Sequence, residues 1–279
     1  MEHWYKKGEA LLEEIASTRV SPDELALWPL GQVGFCFRAA ERTVLIDPVL
    51  NDMTRADGHS ARLFEPPFPP EALRADLVLC THGHADHMAV PTLKGLLRAN
   101  PALRVVLPEG CVGPALAAGL PETALVPLRD GKEAEVEGIA VRAFSAAHPT
   151  HVDDPADPAM ALGYLLELDG FRAAHLGDTH LTERLLTTLR SLRPIDLLFA
   201  PINGDDVFRA LRNCIGNMEA EAAARLAIDL DAGLTIPTHY DMIEGNTVDP
   251  LRFVRDLRAL SPRSRFALPA PGERIVCRR

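Results

Sequence analysis

Cysteine pairs, aromatic residues, surplus basic charge and long apolar runs are all scarce in this 279-residue chain. The five cysteines (Cys36, Cys80, Cys111, Cys214 and Cys277) are widely separated, odd in number and form no Cys-x-x-Cys pair. That pattern argues against a disulfide framework and against a thiolate zinc knuckle. Each cysteine reads as a small core residue. Lysine and arginine total 29 against 39 acidic side chains, a formal net charge of −10. An acidic chain repels polyanions at long range, so neither nucleic acid nor an anionic membrane is an expected partner. Apolar stretches such as 162–168 stop well short of the ~20 residues that cross a bilayer. The opening Met1-Glu2-His3-Trp4-Tyr5-Lys6-Lys7 lacks the apolar core of a signal peptide, and a cytoplasmic protein is the expectation. The chain is not poor in core material: 47% of its residues are hydrophobic and 24% charged, near the globular average.

Residues 1–28 begin with a charged stretch around Leu11, Leu12 and Ile15 that reads as an N-terminal helical extension. Short β-rich runs at 33–37 and 43–46 form a hairpin, and Asp47-Pro48 ends the second. Residues 51–72, crowded with Pro66, Pro67, Pro69 and Pro70, form a long loop able to lie over a site. Further strands are expected at 76–80, 105–107, 124–127, 139–144, 163–168, 171–176, 195–200 and 234–237, with short ones near Phe266 and Ile275. Helices are expected at 91–99, 182–192, 219–230 and 251–260. Neither repeats nor a low-complexity linker divide the chain. Two strand-rich halves flanked by helices predict one α/β domain over 1–279, a four-layer αββα sandwich.

Four of these strands end in turns that carry histidine or aspartate: His82-x-His84-x-Asp86-His87, His148, Asp178 and His239. Strand ends within one sheet lie side by side, so residues far apart in sequence can converge there. Imidazole nitrogen combined with carboxylate oxygen suits zinc, manganese or iron. His82 and His84 point the same way on an extended segment, whereas Asp86 and His87 follow the turn and can face a second ion. The expected division places His82, His84 and His148 on one metal and Asp86, His87 and His239 on the other, with Asp178 bridging. Two ions ~3.5–4 Å apart can hold a shared water as hydroxide and polarise a carbonyl or phosphoryl oxygen. Taken singly, an HxH pair, a lone histidine or an aspartate after glycine is an ordinary surface or turn feature. The ordered set is not.

The chain resembles the metallo-β-lactamase fold superfamily, whose ligand motifs match Thr81 to His87, His148, Asp178 and His239 in order. Within it the sequence is similar to the L-ascorbate-6-phosphate lactonase group, on the stretches 28–35 (WPLGQVGF), 177–180 (GDTH), 201–204 (PING), 214–218 (CIGNM) and 236–242 (IPTHYDM). The resemblance implies a metal-dependent hydrolase that opens a small sugar-acid lactone by attack of a metal-held hydroxide, with two manganese or zinc ions, iron also fitting. Asp86 and Asp178 are the expected catalytic carboxylates, with Asp178 or a bound water returning a proton to the leaving ring oxygen. Substrate contacts are expected from His180, Asn203, Arg209, Arg212 and Tyr240, the two arginines suiting a phosphate. One departure stands out. The family pattern carries arginine after Asn-Gly, and this chain has Asp205 and Asp206 there. The partner is expected to be a small molecule, with a homo-oligomer plausible by resemblance. Two alternatives are a phosphodiesterase of the same fold and a non-catalytic metal-binding protein.

Overall fold

The computed structural model describes residues 3–39, 41–149, 151, 160–212 and 214–279. The first half runs α1 (Gly8–Ser17), β1 (Glu24–Gly31), β2 (Gly34–Ala39), β3 (Arg42–Ile46), β4 (Leu77–Leu79), α2 (Val90–Ala99), β5 (Arg104–Pro108), α3 (Val112–Ala117) and β6 (Leu125–Leu128). The second runs β7 (Glu133–Val136), β8 (Ile139–Ser145), β9 (Leu162–Leu168), β10 (Phe171–His175), α4 (Glu183–Ser191), β11 (Leu197–Pro201), α5 (Val207–Ala210), α6 (Ala220–Asp229), β12 (Leu234–Thr238), α7 (Leu251–Leu260) and β13 (Ile275–Arg278). Among the described residues the strands form a seven-stranded sheet, ordered β13-β1-β2-β3-β4-β5-β6, and a six-stranded sheet, ordered β12-β11-β10-β9-β8-β7.

The central strands read as largely unbroken apolar runs because both of their faces are covered. Alternate residues go to opposite sides. Leu27, Phe37, Ile46 and Leu79 of the first sheet face inward against Tyr164, Leu166, Phe171 and Phe199 of the second. The residues between them, Trp28, Leu45 and Val78, face outward against Leu11 and Ile15 of α1 and Leu93 and Leu96 of α2. On the far side, Leu165, Ala174 and Leu198 meet Leu185 of α4, Ala223 of α6 and Phe253 of α7. The expected four-layer αββα sandwich is therefore the observed architecture.

Residues 24–28 correct the expected helical extension. The helix covers only Gly8–Ser17, and Glu24 opens β1 inside the first sheet. Pro29 conceals this strand in the sequence, because proline lacks a ladder donor. Here β13 pairs only with Glu24 to Leu27, so nothing on that side needs the missing N–H of Pro29. Near Phe266 the expected strand is reduced to a single bridge with Thr235. Strand β7, with Glu133 and Glu135 exposed, forms the polar edge of the second sheet and was not legible as a strand.

Topology places the site. β3, β4 and β5 are mutually parallel, as are β10, β11 and β12. β8 and β10 both run antiparallel to β9 and hence parallel to each other. The turns after β3, β4, β8, β10 and β12 thus leave their sheets at carboxyl ends, where open α/β sheets bind ligands. The two sheets are stitched there by a bridge between His82 and Ala161 and by the Leu162 N–H donating to the Thr81 carbonyl at 2.9 Å.

Candidate metal centre

All seven residues expected as metal ligands converge at this edge. They fall into three groups able to hold a metal ion: His82, His84 and His148; His82, His87 and Asp178; and Asp86, His87 and His239. Within each group the ligand atoms lie within 4.8 Å of one another. Asp178 sits between the outer two groups, with Oδ1 3.3 Å from His87 Nε2 and Oδ2 3.2 Å from His239 Nε2 and 3.9 Å from His148 Nε2. Two of these groups coincide with the expected division, and the third, His82 with His87 and Asp178, runs across it.

The turns that present these groups are conformationally demanding. Asp47 and His239 adopt left-handed backbone conformations, with φ of 43° and 62°. Such conformations in non-glycine residues cluster at functional sites. Gly177, just before Asp178, has φ of 60°, and a Cβ there would lie 2.7 Å from the Thr81 Cβ. Only glycine lets β10 turn there without displacing Thr81.

Thr81 matters because it fixes the imidazoles beside it. Its N–H and hydroxyl donate to Asp47 at 2.7 and 2.6 Å, and Asp47 Oδ2 also accepts from His87 Nδ1 at 2.7 Å. The hydroxyl proton being spent on Asp47, His82 Nδ1 at 3.2 Å is left to donate to the threonine oxygen. Both rings therefore direct Nε2 toward the site. His82 Nε2 lies 2.8 Å from His84 Nδ1, which is 3.3 Å from His148 Nε2. Lone pairs meeting at such distances repel unless a proton or a cation lies among them. His87 Nε2 and Asp178 Oδ1 are also buried without a hydrogen-bond partner, a cost of about 1–3 kcal/mol for each such atom. The donor set fits a divalent ion.

Asp47 was read from the sequence only as a strand terminator, and its role was missed. Carboxylates behind metal-bound histidines fix tautomer and ring orientation, and their loss weakens metal binding about 10–100-fold. We expect Asp47→Asn to lower metal affinity by that factor in a chelator competition. Unchanged affinity would show that Asp47 serves only the β3 turn.

Electrostatics differ across the cluster. For the polypeptide alone, burial and then the neighbouring His87 hold His82 well below the ordinary histidine value, and burial pulls His148 down to about 4. Burial acts the same way on His87 and His239 but is outweighed. Asp178, Asp47 and Asp86 raise His87 well above its ordinary value, and Asp178 raises His239. Burial favours a neutral Asp178, yet the His239 and His87 charges hold it well below the usual carboxylate range. Asp178 is thus a fixed anion. As an anion it does not start as the acid, and any proton it gave to a leaving group would first have to reach it from a bound water.

Beside the cluster lies a cavity of about 670 Å³, lined by His84, Asp86, Asp178 and His239 at one end and by Met53, Arg55, Arg212, Cys214, Ile215, Ile243 and Asn246 among others. Met53 and Arg55 come from the proline-rich loop, which does reach over the site. Cys214 lines this cavity rather than the core, whereas Cys36, Cys80 and Cys111 are buried, and all five thiols are free.

The expected substrate residues fare unequally. Arg212 faces the cavity; its Nε and Nη2 donate to the Phe208 and Gly245 carbonyls, which are uncharged, so its positive charge stays available. Arg209 is a correction. Asp206 caps α5 by accepting from the Phe208 and Arg209 N–H groups and also pairs with the Arg209 guanidinium, whose Nε donates to Asn246. That charge is spent inside the loop. Asn203 is buried, accepting from Asn217 and donating to Asn246 at 3.0 Å each, so its amide holds the loops together. Tyr240 also departs from expectation: it packs beside the α4–α6–α7 core and lines a separate cavity with Pro29, Gly31 and Pro269. His180 keeps a partly exposed ring 4.0 Å from the Asp205 carboxylate.

Comparison with known proteins agrees with this geometry. The chain belongs to the metal-dependent hydrolases of the metallo-β-lactamase fold: the beta-lactamase superfamily domain matches residues 42–240. A UPF0173 metal-dependent hydrolase of Methanoregula boonei is 32% identical over 216 residues, covering 74% of this chain and 86% of that protein. One from Thermococcus onnurineus is 28% identical over 244 residues, covering 88% and 96%. Among solved structures, the metallo hydrolase Igni18 of Ignicoccus hospitalis superposes with a TM-score of 0.68 at 18% identity, covering 92% of this chain and 99% of that one. That likeness is one of fold. Among the described residues no helix is long and apolar enough to cross a membrane.

Proposed function

We propose that the protein opens a small lactone by hydrolysis, a sugar-acid lactone such as L-ascorbate 6-phosphate, using two divalent ions, manganese or zinc. The observation that carries this reading is the cavity of about 670 Å³, with the ligand cluster at one end and Arg55 and Arg212 in its lining. That volume is typical of small-molecule sites. Arg55 is paired with Glu244 at 2.6 Å, which leaves Arg212 as the cation for an anionic group. Met53, Ile215 and Ile243 give the sugar ring an apolar wall, and the stretches 28–35 and 236–242 support the lactonase resemblance.

His82, His84 and His148 would hold one ion and Asp86, His87 and His239 the other, with Asp178 shared. Ions so held supply Lewis acidity and a water made acidic enough to ionise near neutral pH. The chain contributes orientation and charge. Asp178 stays an anion between two raised histidines, and Asp47 and Thr81 keep His82 and His87 in the tautomers that present Nε2. Arg212 anchors the substrate at a distance from the ring carbonyl.

The test is a panel of phosphorylated and plain sugar lactones, assayed with wild type and Arg212→Ala. Charge-assisted hydrogen bonds contribute about 1.5–3 kcal/mol, so the substitution is expected to lower kcat/KM for the phosphorylated lactone ~10–100-fold and to spare the plain one. Equal loss on both would remove the phosphate contact. Cleavage of a generic phosphodiester without turnover of any lactone would replace the reading with the phosphodiesterase one.

A further inference from the structure

Gln32 occupies a place that its residue type does not explain. It sits in the turn between β1 and β2, in the first sheet, yet it is buried against the end of β12 in the second. Its backbone conformation is left-handed, with φ of 56°, a region where glycine or asparagine is easier to hold. Both of its backbone groups are committed across the sheets. The N–H donates to Asp241 Oδ1 at 2.8 Å, and the carbonyl accepts from the His239 N–H at 2.7 Å. The Gln32 peptide thus clamps the turn that presents His239.

The side chain continues in the same direction. Its Nε2 lies 3.3 Å from Asp86 Oδ2 and 3.1 Å from each ring nitrogen of His239. Two ligands from different loops, one following β4 and one following β12, thereby share a single amide. Gln32 Oε1 is buried without a partner. An amide has a donor end and an acceptor end of nearly equal size. The donor end faces Asp86 Oδ2, to which Nε2 donates at 3.3 Å, and its equal 3.1 Å distance from both ring nitrogens lays the amide against the face of the His239 imidazole.

We propose that Gln32 is a positioning residue for the metal group formed by Asp86, His87 and His239. It sets the rotation of the His239 ring and the direction of the Asp86 carboxylate, and so decides how well that group holds its ion. The inference concerns the metal centre and is independent of the substrate.

The left-handed backbone supplies a clean experiment, because glycine at position 32 removes the amide while easing the φ of 56°. Wild type, Gln32→Gly and Gln32→Asn are compared as full-length proteins by zinc competition with a chromophoric chelator, by the visible spectrum of the cobalt-substituted form, and by melting of the metal-free form. Asparagine tolerates the same backbone but is one methylene shorter and falls short of both ligands. The expected result is a 10–100-fold loss of zinc affinity in both variants, an altered cobalt spectrum, and no loss of melting temperature in metal-free Gln32→Gly. Zinc affinity within twofold of wild type in both variants would overturn the proposal. So would lost affinity accompanied by an equally destabilised metal-free Gln32→Gly, which would assign Gln32 to the fold alone.

Discussion

Asp178→Asn is expected to lower hydrolysis by on the order of a thousandfold, the scale of removing one preorganised charge from a dry site. Asp178 lies 3.3 Å from His87 and 3.2 Å from His239 and groups with His82 and His87 as a candidate ligand. Asparagine keeps its size but removes the anion, and one of its two oxygen acceptors becomes a donor. His87 and His239 then lose the largest influence raising their pKa values. The variant is checked by steady-state kinetics alongside metal content. Loss of bound metal together with activity is the expected outcome. Retained metal with full turnover would show that Asp178 bridges nothing.

Metal uptake is expected to release protons and to strengthen steeply with pH. His87, raised well above the ordinary histidine value, carries a proton in the metal-free protein around neutrality, and His239 is shifted in the same direction, whereas a metal ligand must be neutral imidazole. Each proton displaced makes the apparent affinity change about tenfold per pH unit below the raised value of that histidine. His82 and His148 are held low, are neutral already, and add nothing near pH 7. The same shifts set a stability trend for the metal-free protein. A raised histidine pKa contributes stability that is complete below the unfolded value of ~6.5 and is lost as pH climbs through the folded value. Metal-free melting temperature should therefore gain less, or fall, above about pH 6.5, while the metal-loaded form is favoured by alkali. Calorimetry in buffers of different ionisation enthalpy counts the protons. A count of zero at pH 7 would contradict the assignment of His87 as charged.

The ligand set was legible because each member ends an apolar run, and runs buried on both faces are plain in sequence. What supports the ligands was not. Asp47 follows a strand and precedes Pro48, a combination that any turn would show, and only the fold brings it behind His87. Gln32 has no spacing signature, since an amide becomes informative only through its neighbours. The arginines misled for a related reason. Positions 209 and 212 suggest one helical face, but α5 ends at Ala210, and Asp206 captures the first arginine while the second continues to the cavity. Tyr240 follows a ligand in sequence, yet the left-handed His239 turns the chain so that the tyrosine leaves the site. Adjacency to a ligand did not survive a reversal of backbone direction.

The most direct measurement is bound metal and lactone turnover determined together on one purified sample, first stripped with chelator and then titrated with zinc or manganese. Turnover is expected to vanish on stripping and to return in proportion to the metal taken up, with His84→Ala restoring neither fully. Turnover that survives complete removal of metal, or a fully loaded His84→Ala that hydrolyses at the wild-type rate, would contradict a reaction carried by this cluster.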